Sequence, residues 1–292
     1  MKKILIAGCF VLLSSVVGQA QETENSIFWK IEGNGLEKPS YLFGTIHFMR
    51  SEDFFITKSM KEKFKEVDLF STETLYNHHT THVLNKAAHL SEDQSLEVLL
   101  GKDNYEKLEK LFRERLGVSK LKFGLVYSRL KPVILLSSIT QLQLGKDIKY
   151  FENELLDLAK KSDLEYLGLE TIEREIEALE KYPMDAQVKA LIAAVNNFEG
   201  HIEDYNGLIK AYKNQDLAQV LFKTLEPENQ NSVFKKAFYD ERNEEWIPVM
   251  KRKMELAPTF FAVGAAHLEG ARGLVSLLKS EGYKLTPIEV FN

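Results

Sequence analysis

The sequence predicts a mixed α/β fold: a central β-sheet whose strand ends open into a cleft, flanked by helices and helical insertions. Three observations carry this expectation. Six short apolar runs have strand length, long amphipathic stretches separate them, and no Pro/Gly/Ser-rich segment divides the 292-residue chain. Hydrophobic residues make up 44% and charged residues 28%, with 7 prolines and 16 glycines, which excludes collagen-like, disulfide-framework and disordered classes. A chain of this length buries about three quarters of the surface it exposes when unfolded, so its core requires no disulfide or structural metal.

The N-terminus reads as an address. Lys2 and Lys3 form a basic start, Ile4 to Val17 is apolar, and Gly18-Gln19-Ala20 puts small residues where a signal peptidase reads. A signal peptide over 1–20 is therefore expected, with cleavage after Ala20 and export, most simply to a periplasm. Ile6-Ala7-Gly8-Cys9 has the small-residue shape of a lipoprotein site, but too few apolar residues precede it, and cleavage there strands Phe10 to Val17. Lipid anchoring through Cys9 is the less favoured reading. Cys9 is the sole cysteine, so the mature chain has no thiol chemistry and any metal must use His, carboxylate or water.

The mature chain, 21–292, reads as one domain. Ile27 to Ile31 and Ser40 to Phe43 are β-prone runs around Gly33-Asn34-Gly35, a turn suited to left-handed backbone, and predict a hairpin. Val67 to Ser71, Glu165 to Leu169, Thr259 to Val263 and Lys284 to Val290 are the other strand candidates. Helical insertions are expected at about 78–160 and 185–255. In the first, Ser91 stands three residues before Gln94 in capping-box spacing, and Pro132 leads an apolar segment. No tandem repeat of fixed period is present.

Charge narrows the partners. The formal net charge is −5, from 38 Lys+Arg against 43 Asp+Glu without long single-sign blocks, so no basic footprint for nucleic acid exists. No apolar run in the mature chain reaches the roughly 18 residues a spanning helix needs. Oligomeric state has no signature in the sequence.

Two distant segments share a design. Tyr41 to His47 and Phe260 to His267 are each an apolar strand running into Gly-x-x-His, at Gly44 and Gly264. Glycine at a strand end lets the backbone bend or approach a ligand closely, and the histidine then leaves the sheet at that edge. Leu69 to Thr74 and Tyr166 to Thr171 echo them, each a strand candidate ending in Glu-Thr, at Glu73 and Glu170. Ligands bind beyond the carboxyl ends of strands in open α/β sheets. His47, His267, Glu73 and Glu170 are therefore the candidate metal ligands and catalytic groups, and imidazole with carboxylate suits Zn²⁺, Mn²⁺, Fe²⁺ or Co²⁺. The alternative for the two acids is capping of the helices that follow.

Other signals weigh less. His78 and His82 lie one turn apart on a predicted helix, a spacing that can clip a metal, but at a polar helix start. His89 and His201 have no companion and default to structure. Glu173, Glu175, Glu177 and Glu180, with Arg174 and Lys181, read as a solvated helix face.

Tyr41 to His47, Glu73, Leu169-Glu170-Thr171, Glu241 to Trp246, Val263 to Leu268, Gly270 and Gly282-Tyr283 together resemble the TraB/GumN family. That family is related to the Tiki metalloproteases and, more distantly, to the erythromycin-esterase and ChaN-like folds. The resemblance implies a metal-dependent, peptidase-like hydrolase using a divalent ion such as Mn, Co or Zn, with a peptide or a small ester or amide as substrate. It adds Arg242 to the catalytic set, as a binder of substrate carboxylate or developing oxyanion. It also adds Glu152, Asn243 and Tyr283 to the substrate-binding positions beside Gly44 and Gly264. One departure is Glu175, where members of the family often carry Gln. Held by His and Glu, a metal lowers the pKa of bound water from about 15.7 towards neutrality, and a free Glu73 or Glu170 then moves protons. Two alternatives stay open: a metal-independent, esterase-like hydrolase with His as base and Glu orienting it, and a non-catalytic peptide- or signal-binding or inhibitory protein that uses the same cleft.

Overall fold

The Gly33-Asn34-Gly35 turn forms as its residues dictate, with φ of 82°, 50° and 85° in the left-handed region. It joins β1 (Phe28–Glu32) to β2 (Ser40–Thr45) in an antiparallel pair, with Phe28 opposite Phe43. This hairpin belongs to a computed structural model that describes residues 25–75, 77–225 and 232–291. The expected signal segment, with Cys9, lies outside the described residues.

After β2 the chain runs through β3 (Phe48–Arg50), α1 (Lys58–Phe64), β4 (Leu69–Thr72), α2 (His78–Ala87), α3 (Leu96–Leu100), α4 (Lys102–Glu114), α5 (Lys120–Lys122) and α6 (Pro132–Leu144). It continues with β5 (Ile148–Tyr150), α7 (Phe151–Lys161), β6 (Glu165–Gly168), α8 (Ile172–Leu179), α9 (Met184–Asn196), α10 (Phe198–Lys213) and α11 (Leu217–Leu225). Last come α12 (Ser232–Lys235), α13 (Arg242–Leu256), β7 (Thr259–Gly264), α14 (Leu274–Ser280) and β8 (Lys284–Pro287). The mixed α/β architecture is as the sequence predicts.

Six strands form the central sheet in the order β6-β4-β7-β2-β1-β8. β6, β4, β7 and β2 are mutually parallel, while β1 is antiparallel to both β2 and β8. Parallel pairing brings the carboxyl ends of four strands to one edge, and each is followed by a residue singled out above. The interior strands β2 and β7 are buried on both faces, as a strand covered by helices must be. Phe260 of β7 anchors the core, its ring centroid 4.2 Å from that of Phe64 and 5.6 Å from that of Phe28. A second apolar cluster, around Phe112, Phe123, Ile139 and Leu191, packs the helical layer on itself.

Local details differ from the sequence reading where short-range signals compete. β3 and β5 form a two-stranded ribbon, with Phe48 opposite Tyr150; β5 falls inside the expected 78–160 helical insertion, and β3 falls where no strand is expected. Each has only 3 residues, too few for alternation to register. Ser91 and Gln94 close a turn instead of capping a helix. The cap falls to Ser95, whose hydroxyl accepts from the Val98 N–H at the start of α3. Pro132 does occupy the first turn of α6.

Candidate active site

The strand order lays the functional groups along the carboxyl edge of the sheet in sequence: Glu170 after β6, Glu73 after β4, His267 after β7 and His47 after β2. Two compartments result, one dry and one open, with Glu73 between them.

The dry compartment is centred on Arg242, the first residue of α13, which is 0% exposed. Its Nη2 donates to Glu73 Oε2 (2.8 Å) and Glu170 Oε1 (2.5 Å), its Nε to Glu170 Oε1 (2.8 Å), and its Nη1 to the Phe238 carbonyl (3.1 Å). The guanidinium lies 4.5 Å from the ring centroid of Phe238 and 4.8 Å from that of Trp246. Phe238 belongs to a wide π turn, Lys236–Glu241, that leads directly into α13, a feature concentrated at functional sites. Burial disfavours the charge on Arg242, but Glu73 and Glu170 overcome it and hold the guanidinium protonated.

Asn243 settles the state of His267. Its amide nitrogen donates to the carbonyls of His267 (3.1 Å) and Arg272 (2.8 Å), which leaves Oδ1 to accept from His267 Nδ1 at 2.7 Å. The ring therefore carries its proton on Nδ1, and its Nε2 lone pair faces Arg242 Nη1 at 3.4 Å. Burial pushes the imidazole down to about 3. His267 is thus a neutral acceptor packed on Trp246, centroid to centroid 4.5 Å.

In the open compartment, His47 Nδ1 lies 3.2 Å from Glu152 Oε1, and the Thr45 hydroxyl donates to the same oxygen at 3.3 Å. Glu152 sits in the first turn of α7. The hydrogen bond and charge of Glu152 push His47 up to about 9, with water screening part of that effect on a side chain 70% exposed. Thr45, His47, Thr72, Glu73, Thr74, Glu152 and Glu175 line a small cleft there, backed by Ala262 and Val263. Its enclosed volume of about 10 Å³ has room for roughly one water.

Two acids in this cleft are driven apart. Burial alone raises Glu73, yet His267 when protonated, Arg242 and the Gly264 N–H (2.7 Å to Oε1) bring it down to about 2. With His267 neutral at ordinary pH, Arg242 and Gly264 keep Glu73 ionised. Glu175 moves the other way: burial and the negative charge of Glu73 raise it, although Oε2 accepts from the Thr74 hydroxyl at 2.9 Å. Glu175 does not belong to a solvated face. Ile172, Glu175, Ile176 and Leu179 share one side of α8, while Glu173, Glu177 and Glu180 are exposed.

The expected residues are thus divided. Glu73, Glu170, Arg242, Asn243 and His267 meet in the dry cluster, and His47 and Glu152 meet Glu73 in the cleft, whose lining among the described residues does not include His267. Glu170 does not cap α8, since the Thr171 hydroxyl accepts from the Arg174 N–H and takes that role. Its Oε2 is buried without a hydrogen bond among the described residues, as is Trp246 Nε1. Gly44 is needed for close approach of chain to chain: a Cβ there stands 2.9 Å from Ala265 Cα. Gly264 presents its N–H to Glu73. Tyr283 is buried beside the start of β8, at the opposite edge of the sheet. His78 and His82 are exposed on α2, His89 Nδ1 faces the Asn85 carbonyl at 2.6 Å, and His201 Nε2 faces Thr140 Oγ1 at 2.9 Å. As the side chains stand, His47, His267, Glu73 and Glu170 do not fit one divalent ion. Arg242 fills the space between the two carboxylates, and His267 points its lone pair at that cation. Among the described residues no three His, Cys, Asp or Glu side chains are grouped closely enough to hold a metal.

The model of the TraB/PrgY/gumN family matches residues 27–287 of the chain, which takes in every residue of both compartments. No curated protein and no solved structure matches significantly.

Proposed function

From the premise that this chain belongs to the TraB/PrgY/gumN family, we propose that it is a hydrolase of peptides or small esters and amides, working by general acid–base chemistry at the strand-end cleft. One observation carries the reading: three titratable side chains with divergent proton affinities, His47, Glu73 and Glu175, surround a space one water wide, with Glu152 bound to His47 beside them. Pairs of groups whose environments push their pKa values apart mark acid and base assignments.

In this mechanism the Glu175 carboxylate, with its raised affinity for protons, takes a proton from the water as the water oxygen bonds to the scissile carbonyl carbon. His47 is an imidazolium held by Glu152 through Nδ1, which leaves Nε2–H to stabilise the oxyanion and then to protonate the leaving nitrogen or oxygen as its bond to carbon breaks. Glu73 stays ionised throughout. It orders the cleft through Gly264, and its charge adds to the burial that keeps Glu175 basic. Arg242, Glu170, Asn243 and His267 position Glu73 without touching substrate. A metal-dependent form of the reaction requires Arg242 to leave Glu73 and Glu170, so no step is routed through a metal.

The test is hydrolysis of a panel of peptides, esters and amides by the purified chain, alongside His47→Ala and Glu175→Gln. Turnover that both substitutions abolish supports the proposal. Saturable binding of panel members with no turnover under any condition supports a binding protein instead.

A further inference from the structure

Away from the strand-end cleft, α6, α9, α10 and α11 enclose a groove of about 610 Å³, within the roughly 300–1,000 Å³ typical of small-molecule sites. Leu136, Ala190, Ala194 and Leu208 give it apolar walls, and Phe222, 51% exposed, stands at its side. Two charged side chains also line it, Lys223 of α11 and Asp204 of α10.

Lys223 is held there by a glycine. A Cβ on Gly207 would stand 2.9 Å from both Cε and Nζ of Lys223, so the lysine lies across α10 where that helix has no side chain. The side chain is half-buried, and it makes no ion pair or hydrogen bond among the described residues. Asp204, less than one turn before Gly207 on the same helix, makes none either. His201, the remaining titratable group of the walls apart from Tyr205, is kept neutral by burial and bound to Thr140, and the Tyr205 hydroxyl donates to the Phe48 carbonyl. The groove therefore offers one cation, one anion and an apolar floor.

We propose that this groove binds an apolar zwitterion of amino-acid type, a free amino acid or a short peptide with free ends. The carboxylate pairs with Lys223, the ammonium with Asp204, and the apolar side chain lies against Leu136, Ala194 and Phe222. A purely apolar ligand leaves both charges without partners, and a simple anion meets the like charge of Asp204. The site is separate from the acid–base cleft and does not depend on the hydrolase reading.

Isothermal titration of the full chain with leucine, leucyl-leucine, the dipeptide amide and the N-acetyl dipeptide tests it. One of the two free zwitterions is expected to bind saturably, and which one binds tighter tells amino acid from peptide. Blocking either end weakens binding about tenfold or more, the worth of a charge-assisted pair. Lys223→Gln loses about the same factor for the free dipeptide and none for its amide. Asp204→Asn loses it for the free dipeptide and none for the N-acetyl form. Thermal melts confirm that both variants fold, and neither variant is expected to change hydrolysis at the strand-end cleft, so the two proposals fail separately. Absence of binding through the millimolar range, or affinity indifferent to end-blocking or to Lys223→Gln, overturns the assignment.

Discussion

Asn243 Oδ1 lies 2.7 Å from His267 Nδ1, and this contact sets the two histidines of the Gly-x-x-His motifs apart. With both amide hydrogens committed to backbone carbonyls, Asn243 fixes His267 in one tautomer inside a dry cluster. His47 has instead a carboxylate partner and an exposed ring, as the proposed proton-exchanging role requires.

Asn243→Ala is therefore expected to destabilise the fold by about 1–3 kcal/mol, the worth of buried polar groups left without partners. Asn243→Asp places a charge beside Nδ1 and favours the imidazolium. Urea unfolding measures the first effect, and ¹⁵N imidazole shifts of His267 measure the second. An unchanged tautomer in both variants contradicts the network.

Glu73 contributes stability with a definite sign in pH. Its affinity for protons falls from the ordinary 4.5 to about 2, so its contribution is complete above about pH 4.5 and is lost as pH falls towards 2. Glu170 and Glu175, raised by burial, act in the opposite sense. Their contribution is present below about 4.5 and is lost as pH rises through their own titrations. For Glu73 alone the acid-side loss is no more than about 3 kcal/mol, and His267, pushed down to about 3 by burial, adds a loss of the same sign as its imidazole is charged on acidification. Equilibrium unfolding between about pH 5 and 2 should show a flatter profile for Glu73→Gln than for the unsubstituted chain.

The proposed acid–base pair predicts a bell-shaped profile of kcat against pH, rising as Glu175 ionises and falling as His47 loses its proton near 9. Glu175→Gln should lower kcat by about 10²–10⁴ and remove the acidic limb. Glu152→Gln should move the basic limb down towards the ordinary 6.5 of histidine. A basic limb that ignores Glu152 rules out the His47–Glu152 assignment.

Chelation offers an independent check. With Arg242 between Glu73 and Glu170, EDTA or phenanthroline is expected to leave turnover within about twofold, less than 1 kcal/mol of transition-state stabilisation. Activity that disappears on chelation and returns with Mn²⁺, Co²⁺ or Zn²⁺ means that the guanidinium moves aside in the working protein.

Gly44→Ala should cost about 1–3 kcal/mol, because its Cβ meets Ala265 Cα at 2.9 Å and Leu268 Cδ2 at 3.2 Å in packed backbone. Gly264→Ala is milder for stability, its Cβ standing 3.3 Å from Glu73 Oε1, but it disturbs the acid itself. Thermal melts beside activity assays separate the two glycines.

How much of this was legible follows from the range of each signal. The six strands announce themselves because apolar runs bounded by turn residues survive any context, and parallel pairing then carries Glu73, Glu170, His47 and His267 to one edge. Their division into two compartments depends on Arg242, whose position is set by a π turn and by packing on Trp246, neither of which has a sequence period. Glu175 reads as solvated when the acids of α8 are counted together. It reads as buried once Ile172, Ile176 and Leu179 are seen to share its helical face. The β3–β5 ribbon pairs residues about a hundred positions apart through strands of 3 residues, and no local pattern announces such a pairing.

That ribbon also has a kinetic meaning. His47 immediately precedes β3 and Glu152 follows β5 by two residues, so the ribbon is the clasp that brings them together across the chain. A two-stranded ribbon is marginal by itself, and this one leans on the Phe48–Tyr205 ring stack and the Tyr205 hydroxyl on the Phe48 carbonyl. Its amides are expected to exchange with deuterium before those of β2 and β7, because opening the clasp takes the carboxylate from the histidine while the sheet behind it stays intact.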